Sequence, residues 1–414
     1  MDRARPPGKA GVRGVRDATE PHLPVAQTRA EFARSLQAGA PGPRYGDTVI
    51  ERGRILCYRV YDAGDTIALD LAEKKLEARR FVMGGPLAEG LVMPVRPLEV
   101  HVGECVLQIA KVGRVLTADC TARIFEFGAI SFLYDIVIEP GTTLEELTPL
   151  CAALYDAPEL DACGQEHRKH LMERLGDSIE KPHDWSEGET YTIIFIEKLS
   201  ASAEEHRTSI AALARSERVA KLLLGETSET PLSASARDDV LKNAFSYLVD
   251  DLVVVDWNSA LVVEPSGSRI VPFVLELATS QLLEFRYYDG ILERELARVY
   301  DHVEKARPRI LRSPYGALTR KVVRRFMELT EFTERVDNAV KSVGDFYLAR
   351  VYLSAINRFR VPDWREGVES KLGLISRAYS LLKGEVEVSR AQLLEIIVVV
   401  LIFIELVAAL RGHV

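Results

Sequence analysis

Alternating apolar and polar positions open the folded part of the chain, with Thr48 to Tyr61 (TVIERGRILCYRVY) predicting a strand. Ala63-Gly64-Asp65 then turns the chain into a segment, Ile67 to Ala78, whose apolar residues Ile67, Leu69, Leu71 and Leu76 take helical spacing. Alternation returns from Leu98 to Glu139 and predicts several strands of one sheet. Thr143 is placed to cap a helix through Leu154, with Glu145 and Glu146 in the first turn where the helix dipole favours them. Thr190 to Glu197 reads as another strand and Glu204 to Leu224 as another helix. Past the polar loop Gly225 to Arg237 come a short helix, Asp239 to Leu248, and a strand, Leu252 to Glu264. Strands and helices alternate irregularly here, so residues 46–265 predict an α+β domain.

From Pro272 the period becomes helical and stays so. Leu275, Leu282, Leu296 and Val303 recur every seven residues, with Ala278, Phe285, Leu292, Val299 and Ala306 three places later. Asp289 falls where this frame wants an apolar side chain and needs either exposure or a partner such as Arg286. Pro308 and Pro314 stop the helix. A second seam follows, Val322, Leu329, Val336 and Val343 with Phe332, Ala339, Phe346 and Leu353. Two seams of matched length predict an antiparallel helical hairpin about 50 Å long within 272–390. A further helix, Trp364 to Leu382, leads to the most apolar stretch of the chain.

That stretch is Leu393 to Leu410, LLEIIVVVLIFIELVAAL, in which fourteen of eighteen positions are Leu, Ile, Val or Phe. As a helix it would be about 27 Å long, close to the thickness of a bilayer core. Glu395 and Glu405 oppose insertion by roughly 3 to 4 kcal/mol together, and the apolar residues outweigh them. A transmembrane helix is the first reading, with Glu405 turned to a partner helix or polar cavity. A buried assembly helix of a soluble coiled-coil homo-oligomer is the second.

Composition fits a body in front of one anchor. Of 414 residues 47% are hydrophobic, enough for a sizeable core, and the net charge of −8 confines any polyanion site to a local patch. Cys57, Cys105, Cys120, Cys151 and Cys163 are an odd number without paired spacing and read as reduced core residues. Cys163, His167 and His170 share a helical face, but no second ligand cluster follows, so no structural metal is expected. Residues 1–45 are basic and rich in Pro and Gly, the composition of a disordered tail. They lack the apolar core of a secretory signal, so the body is expected in the cytosol, or in the matrix of an organelle.

Candidate chemistry is sparse. Lys305, Arg307, Arg309, Arg312, Arg320, Lys321, Arg324 and Arg325 crowd the expected hairpin tip with no acidic residue among them. They form a patch for RNA or anionic lipid, or a solvated helix end. Phosphate-binding and dinucleotide glycine motifs are missing, as are nucleophile-elbow and zinc-protease motifs, so no cofactor is expected. Asp251, Asp256, Glu264 and Glu276 are the carboxylates a metal-dependent enzyme would use at the junction of sheet and hairpin. Bare carboxylates at strand ends are more often solvated turns.

DLVVVDWNSALVVEP, then FVLELATSQLLEFRYYDGIL, then a long helical arm and LLEIIVVVLIFIELV resemble the required-for-meiotic-nuclear-division family, also called YagE-like. The resemblance covers roughly 50–414. Its most specific part keeps Glu276, Ala278, Gln281, Leu282, Leu283, Glu284, Arg286 and Asp289, and puts Thr279 and Ser280 where Asn and Val are usual. It implies an integral membrane protein anchored at its C-terminus, without known enzymatic activity, and mitochondrial members support translation at the inner membrane. The expectation is a membrane-anchored scaffold holding a ribosome- or RNA-containing partner. Changing Arg320, Lys321, Arg324 and Arg325 together to Gln should abolish salt-sensitive RNA binding by the full chain in a filter-binding assay. Unchanged binding removes the tip from this reading.

Overall fold

The alternation at the start of the body becomes a long strand, β1 (Val49–Asp62), with every side chain from Ile55 to Asp62 buried. In this computed structural model the described residues are 49–81, 96–200, 210–304 and 346–378, with Arg324, Met327, Thr330, Glu334, Glu395 and 398–402. The N-terminal tail, most of the hairpin tip and most of Leu393 to Leu410 lie outside them.

The strands after β1 are β2 (Gly64–Ile67), β3 (Arg79–Arg80), β4 (Leu98–Ile109), β5 (Arg114–Ile124), β6 (Ala129–Val137), β7 (Thr142–Thr143), β8 (Ile179–Pro182), β9 (Gly188–Leu199), β10 (Ala244–Phe245), β11 (Leu252–Val255) and β12 (Ser259–Val263). Ten form one sheet in the order β10-β11-β12-β9-β1-β6-β5-β4-β3, with β7 added to the start of β1; β2 and β8 make a separate ribbon. Pairing is antiparallel except that β12 lies parallel to β9.

A strand buried on both faces needs two cores. Ile55, Cys57 and Tyr61 of β1 point to one, built with helices α1 (Leu69–Leu76), α2 (Leu144–Tyr155), α3 (Pro158–Leu175), α4 (Glu217–Leu224) and α5 (Ala234–Leu241). Leu56, Tyr58 and Val60 point to the other, built with α6 (Ile270–Glu304), α7 (Phe346–Arg358) and a helix α8 over 361–378. Thr143 caps α2 as the sequence predicts, its hydroxyl accepting from the Glu146 amide at 3.2 Å while Glu146 reaches back to the Thr143 amide at 2.9 Å. Arg59 sits fully buried on the first face and donates to Asp161 of α3 at 2.6 Å, pinning that helix to the sheet.

Four expectations change. Leu252 to Glu264 is a hairpin of two strands, because Asp256-Trp257-Asn258 turns the chain, with the Asp256 amide donating to Ser259 O at 2.8 Å. The helix before the polar loop starts afresh at Ser216, whose hydroxyl caps it. The next helix begins at Ala234, because Ser233 caps it, and Ala244 and Phe245 become strand. The largest change concerns α6. Its first half is not a free coiled-coil arm: Leu275, Ala278, Phe285 and Leu292 are buried against the sheet, α7 and α8. Asp289 meets Lys371 of α8 at 3.0 Å rather than Arg286. Among the described residues no helix is long and apolar enough to cross a membrane; within Leu393 to Leu410, Glu395 and 398–402 are helical and exposed.

The contact that seats α6 on the sheet is charged. Glu276, fully buried, meets Arg123 of β5, which also donates to Glu99 at 2.9 Å and lies over the Phe81 ring at 4.2 Å. Burial works against the charge on Arg123, but Glu276, Tyr58 and Glu99 outweigh it and hold the guanidinium above its ordinary value. Glu276→Gln leaves that guanidinium without its buried counter-charge and should cost about 3 to 5 kcal/mol in urea unfolding. The double change Arg123→Met with Glu276→Met should recover much of the loss. A single variant as stable as the parent would show that the pair does not hold the helix.

Candidate functional site

Carboxylates and a histidine gather where the small ribbon meets α6. β1 ends at Asp62, one residue turns the chain, and β2 pairs with β8 in the register Gly64 to Pro182, Thr66 to Glu180 and Ile67 to Ile179. That pairing carries His183, the residue after β8, back to the end of β1, where its amide donates to Ala63 O at 3.0 Å. The approach requires glycine at 128. With φ 103°, a Cβ there would stand 2.0 Å from the Gly64 carbonyl oxygen.

His183 is gripped from both sides. Its Nδ1 lies 2.6 Å from Asp62 Oδ2 and its Nε2 2.9 Å from Asp65 Oδ1, while the Tyr287 ring stacks on it at 4.6 Å. Lys181, at φ 47°, donates to the other Asp65 oxygen at 3.1 Å. Arg168 of α3 donates to Asp62 O at 3.0 Å. Trp185 meets Tyr287 edge-on at 5.5 Å and lies under Arg294 at 5.4 Å.

Each ionisable group is displaced for a definite reason. Burial alone would lower His183, but its hydrogen bonds and charge contact with Asp62 and Asp65 outweigh burial and hold the imidazole above its ordinary value. Burial pushes Asp62 up, with His183 pulling back. Glu284 of α6, 3% exposed, is pushed well above the usual carboxylate range by burial and then by the charges of Asp62 and Asp65, and its Oε1 has no hydrogen-bond partner. Asp62 Oδ1 is also buried without one. Burial and the like charges thus favour the protonated form of Glu284, and the two aspartates favour the protonated form of His183. With both ring nitrogens engaged, His183 offers no free lone pair to a metal, and among the described residues no three His, Cys, Asp or Glu side chains are grouped to hold one.

The residues singled out by sequence go elsewhere. Asp251 accepts the Tyr247 and Leu248 amides at 2.7 and 3.0 Å, and burial pushes it up to about 6. Asp256 pairs with Arg358 at 2.6 Å, Glu264 accepts from the Ser266 amide and hydroxyl, and Glu276 is held by Arg123, so these four carboxylates have separate structural duties. Of the polar signature residues, Glu284 belongs to the acidic cluster and the others fix α6 as Glu276 does: Gln281 Oε1 accepts from Tyr352 at 2.7 Å, Arg286 reaches Glu189 of β9 at 2.5 Å, and Asp289 holds Lys371. Thr279 and Ser280 are buried and bond back to the helix carbonyls of Leu275 and Glu276. Of the basic tip, Lys305, Arg307, Arg309, Arg312, Arg320, Lys321 and Arg325 lie outside the described residues, and Arg324 is helical and exposed. His167 accepts or donates at Tyr134 Oη, 3.0 Å away, whereas His170 faces Glu166 and Glu173, so these histidines part company. Cys57, Cys105, Cys120 and Cys151 are free and buried, and Cys163 is free and partly exposed.

Sequence reasoning missed Asp62, Asp65 and His183. The pair of aspartates flanking Ala63-Gly64 was visible, but nothing in the sequence joins them to a histidine 118 residues after Asp65.

A family model described as "Uncharacterized protein MJ0711, N-terminal domain" matches residues 52–269, from within β1 to the residue before α6. Uncharacterized protein MJ0711 of Methanocaldococcus jannaschii is 24% identical over 191 residues, which are 46% of this chain and 58% of the relative. The match thus spans less than two thirds of that relative's length. No solved structure matches the chain. Because the family model takes in the entire run from β2 to β12 and more than half of the 414 residues, the chain belongs to the MJ0711 N-terminal domain family.

Proposed function

We propose that this protein is a non-catalytic scaffold that presents a helical segment from a rigid sheet and works at a membrane through Leu393 to Leu410. The observation that carries the reading is the use of four of the five polar signature side chains on α6, Glu284 being the exception. Glu276, Gln281, Arg286 and Asp289 each bond to another element of the body, so they fix the direction in which the helix leaves the sheet. A residue set spent in this way serves geometry rather than turnover. Kinship with the required-for-meiotic-nuclear-division family belongs to the same proposal, since the signature at 276–289 lies beyond the matched residues 52–269. A ribosome- or RNA-containing partner and self-association also stand as proposals. Val398, Val399, Val400, Leu401 and Ile402 are 49–60% exposed, which supports an apolar surface seeking a cover.

Carbonate extraction of membranes tests the anchor by comparing the full chain with one ending at Arg390. Resistance of the full chain and release of the shortened one are expected; two soluble chains would turn the apolar stretch into an assembly helix and sink the membrane reading.

The second reading, an enzyme at the junction, draws on Glu284. A buried acid held neutral beside a charged His-carboxylate pair is the arrangement proton-transfer sites use. Its protonation has a thermodynamic signature. Glu284, Asp62 and His183 are held above their ordinary values, and Glu189 is pushed up to about 7 by burial, with Arg286 opposing. The folded chain then keeps protons that the unfolded chain has lost, so the stability these groups contribute is full at low pH and falls as pH rises through their folded values. The exposed carboxylates pulled down by partners, such as Glu51 and Asp177, act in the opposite direction, but only below the ordinary carboxylate range. Urea midpoints should therefore fall between pH 5 and pH 8, with Glu189 alone contributing roughly 3 kcal/mol. Glu189→Gln and Glu284→Gln should each flatten the curve. A parent curve already flat would remove the stored protons and with them the acid-base reading.

A further inference from the structure

A cleft of about 440 Å³ lies at the other end of the sheet, between the edge strand β10 and α7, lined by Lys242, Asn243, Phe245, Arg350, Leu353, Ser354, Asn357 and Arg358. Its size is that of a small-ligand site. The five residues from α7 recur at 350, 353, 354, 357 and 358, the spacing of one helix face. Against them stand the end of α5 and the short strand β10.

The charges in the cleft do not cancel. Arg358 is held by Asp256 at 2.6 Å and Asp239 at 2.7 Å, and Lys242 shares Asp239 at 2.5 Å. Two carboxylates thus answer two of the three cations. Arg350 is left over, exposed, with no carboxylate partner among the described residues, and its guanidinium lies over the Phe245 ring at 5.2 Å. A guanidinium attracted to an aromatic face can still offer N–H groups to a planar or tetrahedral anion. Beside it, Ser354 Oγ lies 3.5 Å from Asn243 Oδ1, and the Asn357 side chain is exposed at the rim. Leu353, 40% exposed, adds an apolar wall.

We propose that this cleft binds a nucleoside phosphate, with the phosphate on Arg350, the base against Leu353 and the Phe245 ring, and the carboxamides of Asn243 and Asn357 on the base edge. The ring accounts for the apolar wall, and the phosphate for the unanswered cation. Neither half alone uses both features. The proposal is independent of the scaffold reading, since none of its residues belongs to the α6 signature or to the apolar C-terminal stretch.

Titration calorimetry of the full chain with AMP, UMP, adenosine and inorganic phosphate tests it. At least one monophosphate should bind with a dissociation constant below about 1 mM, and adenosine and phosphate alone at least about tenfold more weakly. Arg350→Gln and Asn357→Asp, both at exposed helix positions, should each weaken that binding by about tenfold or more while leaving the thermal midpoint unchanged. Arg350→Lys should recover part of it. No binding of any monophosphate, or binding that Arg350→Gln and Asn357→Asp leave unaltered, overturns the assignment. So does phosphate binding as tightly as the nucleotides.

Discussion

One buried ion pair decides how the two halves of this chain meet. Glu276 enters the interior on α6 at 0% exposure, and nothing apolar around it could repay the loss of water. Arg123 does so from the end of β5, steadied by Phe81 and Glu99. Because removal of either partner strands the other, the pair fixes both the depth and the rotation of the helix. Once that rotation is set, Gln281 reaches Tyr352, Arg286 reaches Glu189 and Asp289 reaches Lys371, drawing α7 and α8 onto the same face. The second core follows from those seatings.

The long strands β1, β4, β5, β6 and β9 were legible because runs of alternating and β-branched apolar residues mark them locally, whereas the short strands β2, β3, β7, β8 and β10 carry too few residues to show a period. The cap at Thr143 was legible for the same local reason: donor and acceptor are three residues apart. What failed was non-local. A heptad pattern on α6 says that a stripe is apolar, not whether another helix or a sheet will cover it, and here the sheet covers half. Leu252 to Glu264 looked continuous because Trp257, 60% exposed, and Asn258 sit in a two-strand hairpin without a glycine to mark the turn. The partner of Asp289 could not be read either, since Lys371 lies 82 residues away.

The candidate cluster shows the same limit from the side of chemistry. Asp65 was in view as part of the Ala63-Gly64-Asp65 turn, Asp62 only as the residue between strand and turn, and His183 as one histidine of eight. Their meeting depends on a three-pair ribbon and on a glycine at 128 that lets two turns touch. None of these has a sequence motif. Residues that bond to neighbours in the chain leave patterns, whereas residues brought together by a register leave only their identities.

Glu276 and Glu284 stand two turns apart on one helix, both buried, yet their fates diverge because of what faces them. Burial raises the cost of charge on each. At Glu276 a guanidinium answers it, and the carboxylate becomes a structural anchor. At Glu284 the nearby charges are Asp62 and Asp65, which have the same sign, so the protonated form is favoured and Oε1 is left without a hydrogen-bond partner. Docking the helix through the first glutamate thus forces the second into the acidic corner. The raised proton affinity of Glu284 is a consequence of the same seating that holds the helix against the sheet.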